Sequence, residues 1–420
     1  MATVSRRLPE QPHLDVPKRE ARELLAAWRE RRPEVLERIQ HRHPKFAKSA
    51  HAGAASFTFK LTDAQLVIAR EYGFSTWPEL KHRIEANEAV RELLHAIRAD
   101  DRETSVRILR ANPELLHVPL WSGNWGPPMS HAANLGRLGM IQAIAALGAR
   151  DHQHAFDRAL LQGKIECARW LHAQGASLSP GIIMGSCETL NVAGFEFLLE
   201  VGAPLTDDRG NRLAPLALTL GTYARNPADK HTLLARFAQH GYALPDTPVM
   251  ALHRGDVSRL HEHLRRDPQL LARRFTYREI YPPELGCMNE GQPGMHWTPL
   301  DGTTLLHLAI DFQEREVFEW LLAHGADVNA RASVDADGFG GHTPLFNAVV
   351  NGTQRDDTMT RALLERGADP EMRASLRKFL DWCETPRWHE ARDVTAAEWA
   401  TTFPDRSWVN SEALRVIERL

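Results

Sequence analysis

A Gly-Ala dipeptide closes one apolar helical stretch after another in this chain. It stands at Gly148-Ala149, Gly175-Ala176, Gly202-Ala203, Gly325-Ala326 and Gly367-Ala368, with His240-Gly241-Tyr242-Ala243 as a variant. The glycines are 27, 27, 39, 84 and 42 residues apart. A glycine just past a helix supplies a left-handed C-terminal cap, a conformation in which a Cβ is penalised. Ahead of each glycine the apolar residues run at helical spacing, as in Val317, Trp320 and Leu321 before Gly325. Recurring helix pairs stack and bury apolar surface between neighbours. A chain of 420 residues, too long for one ordinary core, then needs no single large one.

The best unit opens with Asp301-Gly302-Thr303-Thr304-Leu305-Leu306-His307-Leu308-Ala309 and closes with His324-Gly325-Ala326-Asp327-Val328-Asn329-Ala330. The next opens with Gly341-His342-Thr343-Pro344-Leu345-Phe346-Asn347-Ala348 and closes with Arg366-Gly367-Ala368-Asp369. These units resemble ankyrin repeats, which open on T-P-L-H-x-A and close on G-A-D-V-N-A in about 33 residues. Leu305 stands where proline is usual, and Phe346 where histidine is usual. The 84-residue gap hides a further unit. Ala251, Asp256, Leu264, Arg265, Pro268, Leu270 and Leu271 match Ala96, Asp101, Leu109, Arg110, Pro113, Leu115 and Leu116 at a constant offset of 155. The expected fold is an all-helical (all-α) ankyrin-repeat solenoid of about eight helix-pair units between Glu88 and Asp369, closed by a helix at Ser411–Leu420. Four regions follow: an N-terminal helical cap (1–86), degenerate repeats (87–246), repeats with long insertions (247–370), and a C-terminal insertion with a capping helix (371–420).

Residues 1–86 carry 16 basic against 11 acidic side chains and no Gly-Ala closure. Helices are expected at Lys18–Arg31 and Glu34–Gln40. Two more are expected behind the capping signals Thr62-Asp63-Ala64-Gln65, with Leu61 and Leu66 as a staple, and Thr76-Trp77-Pro78-Glu79. Between these two, Ala69 and Gly73 have helix-turn-helix spacing. Glu79 takes the place of a small aliphatic residue, and no Lys/Arg cluster leads the second helix, which argues against DNA and for a solenoid cap. The stretch Asp63–Phe74 and the Leu-Pro start are similar to those of a group of bacterial ankyrin-repeat proteins. That resemblance covers essentially the full chain and implies no activity.

Chemistry is sought in three long insertions, 273–299, 331–341 and 372–410, which repeat geometry places on one face. Their aromatic content argues for a packed platform rather than disorder. Arg273, Arg274 and Arg278 suit an acidic peptide or phosphate. Trp297, Trp382 and Trp388 suit a ring or a peptide pocket. Glu279, Asp337, His296, His342 and His389 are the acid/base candidates. Asp335-Ala336-Asp337-Gly338 lacks the later ligands of a calcium loop, where Phe339 and Phe346 stand. Cys287, His296, Cys383 and His389 lack the close pairing of a structural zinc site. No metal and no cofactor are therefore assigned.

Charge is nearly balanced overall, 51 basic against 54 acidic side chains, but it divides into +5 over residues 1–86 and −8 over the remainder. No apolar run reaches the roughly 18 residues of a membrane helix, and no apolar stretch follows Arg6 and Arg7. Four scattered cysteines fit a reduced cytoplasmic chain better than a disulfide framework. The repeats imply a protein–protein interaction module without catalysis, whose partner the sequence does not name. The acidic remainder favours a basic partner. The alternative is an enzyme or small-molecule binder with a composite site in the three insertions.

Overall fold

The computed structural model describes residues 6, 8, 14–44, 59–120, 124–287, 297–351, 356–380 and 387–420. Two compact units are resolved, 1–155 and 156–420. The first opens with three helices, α1 (Asp15–Arg29), α2 (Pro33–Arg42) and α3 (Leu61–Glu71). Their amphipathic faces bury Ala21, Leu24, Ile39, Val67 and Ile68 together with Leu80 and Ile84 of α4 (Trp77–Ala99). Arg38 holds Glu71 through two bonds of 2.5 and 2.7 Å. Glycine turns the chain between α3 and α4, where Gly73 has φ +85°.

Of the two expected caps, the one at Thr76 forms and the box expected from Thr62 to Gln65 does not, with Leu61 of its staple exposed. Thr76 Oγ1 accepts from Glu79 N, and Glu79 accepts from Ser75 N. The α3 helix starts earlier than Thr62, at Leu61, with Lys60 N donating to Asp63 Oδ2 at 2.8 Å. The boundary expected after residue 86 falls inside the continuous helix α4. This unit continues through α5 (Arg102–Ala111), α6 (Pro128–Asn134) and α7 (Leu138–Ala146). Pro127 precedes α6 and has no side-chain oxygen to cap it. The Asp151 carboxylate does so instead, accepting from Ser130 N at 3.1 Å and from Ser130 Oγ.

The split between units lies in α8 (His152–Leu161). Helix pairs then follow: α9 (Ile165–Ala173), α10 (Met184–Glu188) with α11 (Val192–Glu200), and α12 (Leu213–Gly221) with α13 (Pro227–Gln239). After α14 (Pro248–His253) and α15 (Val257–Arg266) comes the short α16 (Tyr277–Ile280). The motif-bearing pairs are α17 (Leu305–Asp311) with α18 (Arg315–Ala323), and α19 (Pro344–Val349) with α20 (Thr358–Glu365).

The Gly-Ala signature has a local cause. Gly325 and Gly367 lie at φ +85° and +87°. The following alanine then sends its N–H back into the helix, Ala326 to Leu321 O and Ala368 to Leu363 O, both at 3.0 Å. Those alanines are buried, so only a small side chain fits beneath the turn. His307 ties neighbouring pairs together: Nδ1 meets Thr304 Oγ1 at 2.9 Å and Nε2 meets the His342 carbonyl at 3.2 Å.

The all-helical expectation fails in the last region. Ala374–Leu380 and Arg387–Val394 form an antiparallel hairpin, β1–β2. The reason lies in the period. Ala374, Leu376, Lys378 and Leu380 alternate inward, which buries one face of a strand and cannot make a helical stripe. Helices α21 (Ala396–Thr402) and α22 (Ser411–Ile417) then pack on α19, with Trp399 fully buried and donating from Nε1 to Thr298 Oγ1 at 3.4 Å.

Candidate functional site

The segments expected to carry chemistry meet along backbone bonds. The finger 331–341 folds on itself, with Ala332 N donating to His342 O at 2.9 Å and Val334 bridging Gly340. One side of it joins the Asp301-Gly302 turn through Ser333 N to Gly302 O at 2.9 Å. The other side joins β1 through Gly340 N to Ser375 O at 2.6 Å. Gly340 is required here: at φ +121°, a Cβ would lie 2.0 Å from the Ser333 carbonyl oxygen. Arg331 Nη1 reaches the carbonyls of Gly341 and Arg373, and Arg274 Nε donates to Arg331 O at 2.8 Å.

This arrangement encloses a cleft of about 250 Å³ between the 301 turn, the finger and the β1–β2 hairpin. Two large apolar side chains line it and stay exposed, Val334 at 61% and Trp388 at 52%. Arg377 spans one wall. Its two terminal nitrogens hold Asp335 at 2.8 Å and Asp337 at 2.9 Å, and its guanidinium lies over the Phe339 and Trp388 rings at 4.7 and 5.6 Å. Hydrogen bonds from Phe339 N and Asp337 N, together with Arg377, outweigh desolvation and hold the Asp335 carboxyl below its ordinary pKa. His342 is buried beside the cleft. Burial lowers its pKa to about 4, with its Nε2 bound to Pro299 O at 2.9 Å. Asp301 accepts from Tyr277 N at 2.8 Å.

The other candidates lie elsewhere. Arg273, Arg278 and Glu279 line a separate cleft of about 390 Å³ with Asp246 and His263. There Glu279 closes the capping box of α16 and pairs with Arg273 at 2.5 Å, while the Arg273 guanidinium covers the Phe275 ring. Trp297 is a core residue, 7% exposed, with its ring 3.8 Å from that of Trp408. His389 is half-buried and stacks on Trp399 at 5.2 Å; burial, then Arg387, lowers its pKa. His296 and Trp382 lie outside the described residues. Among the described residues no cluster of His, Cys, Asp or Glu could hold a metal ion.

A buried charge network escaped the sequence reading. Arg225 holds Asp311 at 3.0 Å, with side-chain exposures of 3% and 0%. Lys230 and His231 both hold Glu314, at 2.7 and 2.8 Å. Arg225 and Lys230 also lie over the Phe312 ring. Burial pushes the Asp311 carboxyl up in spite of Arg225, and the Asn347 side chain is buried in the next repeat. One sequence signal was available: Asn347 stands in its repeat where Leu308 stands in the one before, an amide at an apolar position.

Residues 284–374 match the family model described as ankyrin repeats (3 copies). Among solved structures, the human ASB11 ankyrin repeat domain is 19% identical and is aligned over 69% of this chain and 97% of that chain, at a TM-score of 0.26. No curated protein matches the chain at a significant level. No helix among the described residues is long and apolar enough to cross a membrane.

Proposed function

We propose that this protein is a non-catalytic, cytoplasmic interaction module, a solenoid of about eight helix-pair units whose protein partner docks in the cleft between the finger and the β1–β2 hairpin. Ankyrin repeats generally mediate protein–protein contacts, and residues 284–374 carry them. The observation that supports this cleft is the exposure of Val334 and Trp388 on its walls. A tryptophan beside arginine, framed by polar groups, has the composition of an interface hot spot. Rigid repeat units preorder such side chains, which lowers the entropy lost on binding. The charges around Phe312 satisfy one another internally, so they offer a partner little.

The enzyme alternative draws less support. Glu279 and Asp337 are held in ion pairs, and they line different parts of the surface from each other. Neutral His342 hydrogen-bonds Pro299 O through Nε2. The test is a photo-crosslinking amino acid placed at Val334 or Trp388 in the native host, with Arg169 as a surface control. Crosslinked species seen at both cleft positions, absent at Arg169, with the Trp388 crosslink lost in Val334→Asp, are expected. Identical patterns at all three positions would refute the docking site.

A further inference from the structure

We propose that the partner inserts a cationic side chain, lysine or arginine, into the cleft lined by Asp301, His342 and Trp388. This rests on the docking reading above and adds the chemistry of the occupant. Three independent features point the same way.

Charge comes first. Asp301, Asp335 and Arg377 line the cleft, and Arg377 is already committed to Asp335 and Asp337. Asp301, exposed at the mouth, accepts one bond from Tyr277 N, and no cation among the described residues matches its charge. Asp301 is therefore the acid of the cleft lining that holds no ion pair.

His342 supplies the second feature. Its Nε2 can only donate to the Pro299 carbonyl, so Nδ1 carries the lone pair. That nitrogen has no hydrogen-bond partner, in a side chain 1% exposed that lines the cleft. A buried acceptor left unmade is costly, and an N–H that displaced the lining around it would relieve it.

The walls are the third. Phe339 already carries two guanidinium groups, Arg377 at 4.7 Å and Arg392 at 4.0 Å from its centroid. The chain thus shows which ions its aromatic faces attract. Trp388, the ring type that binds cations best, already meets Arg377 at 5.6 Å and Phe379 at 5.3 Å, yet stays 52% exposed. At about 250 Å³ the cleft is below the usual roughly 300–1,000 Å³ of small-molecule sites and suits one long side chain of a bound segment. An anionic group would face Asp301, and an apolar one would bring Asp301 no counter-charge.

Pools of short fluorescent peptides, random except for one fixed position, test this by anisotropy with the full-length protein. Pools with arginine or lysine fixed should bind roughly tenfold more tightly than the norleucine pool, and the advantage should shrink with added salt. Asp301→Asn keeps the acceptor for Tyr277 N, so the fold is retained, yet it should abolish the preference. Trp388→Ala should weaken binding of the basic pools, and the Trp388 indole N–H resonance should shift on titration with them. Equal binding of all pools, no binding by any, or a preference that survives Asp301→Asn overturns the proposal. If crosslinks at Val334 and Trp388 persist while that preference is missing, only the cationic occupant fails. If the crosslinks are missing as well, the docking reading fails with it.

Discussion

Replacing Glu314 by glutamine removes the counter-ion from a buried ammonium while keeping the shape of the side chain. Glu314 is 2% exposed and Lys230 5%, with 2.7 Å between Nζ and Oε1. Breaking such a pair from one side costs about 3–5 kcal/mol, because the remaining charge stays buried. A second route bounds that figure. Lys230 can instead lose its proton, which costs about 4–5 kcal/mol at pH 7 for an amine of ordinary pKa about 10.4. Burial already lowers the Lys230 pKa, with Glu314 offsetting this only in part, so the bound is an upper one. At about 2–4 °C per kcal/mol, the transition of the second unit should fall by about 6–20 °C. Urea and thermal titrations followed by circular dichroism give the number.

The pH dependence sharpens the test. Burial raises the Glu314 pKa, but Lys230 and His231 together outweigh it and the net shift is downward. A carboxylate with a depressed folded pKa contributes stability above its unfolded value of about 4.3 and loses it as pH falls through the folded value. The gap between the native chain and Glu314→Gln should therefore narrow in acid. Lys230→Met combined with Glu314→Leu should recover most of the loss, since a well-packed apolar pair replaces a buried ion pair at little cost. A loss for Glu314→Gln below about 1 kcal/mol, or a double variant no more stable than Glu314→Gln, would refute the reasoning.

Other outcomes follow from single sites. Gly340→Ala drives a Cβ into the Ser333 carbonyl, whereas Gly325→Ala meets open space and carries only the left-handed penalty of about 1 kcal/mol; hydrogen exchange should show the finger released in the first and intact in the second. Buried His342, with its pKa lowered to about 4, contributes stability present above about 6.5 and lost as pH falls toward 4, up to about 3 kcal/mol, so His342→Gln should flatten the acid limb of the stability curve. Burial pushes the Cys187 thiol up to about 12 and the Cys167 thiol up to about 11, so neither should react with iodoacetamide at neutral pH until the chain is unfolded; mass mapping of native and denatured samples decides.

Signals confined to one or two turns were legible. The Gly-Ala closures and the Thr76–Glu79 cap are made by residues within six positions of each other, so spacing alone revealed them. The β1–β2 hairpin was missed although Ala374 to Leu380 alternates inward, because Lys378 is one of the inward residues and breaks the apolar pattern. Naming Trp388 and His342 as candidates was within reach of residue type. Pairing them was not: the cleft needs Asp301, the finger and β1 side by side, and backbone bonds between distant segments bring them together.

What the sequence determined by itself is the series of helix pairs, since helix caps and apolar periodicity are local and act wherever they are written. What only the tertiary structure decided is which charges meet. Arg225 and Asp311 are 86 residues apart, and Arg377 and Asp335 are 42. The first pair is sealed and the second borders an open cleft, because packing of segments distant in the chain, not any local pattern, sets how much water each one keeps.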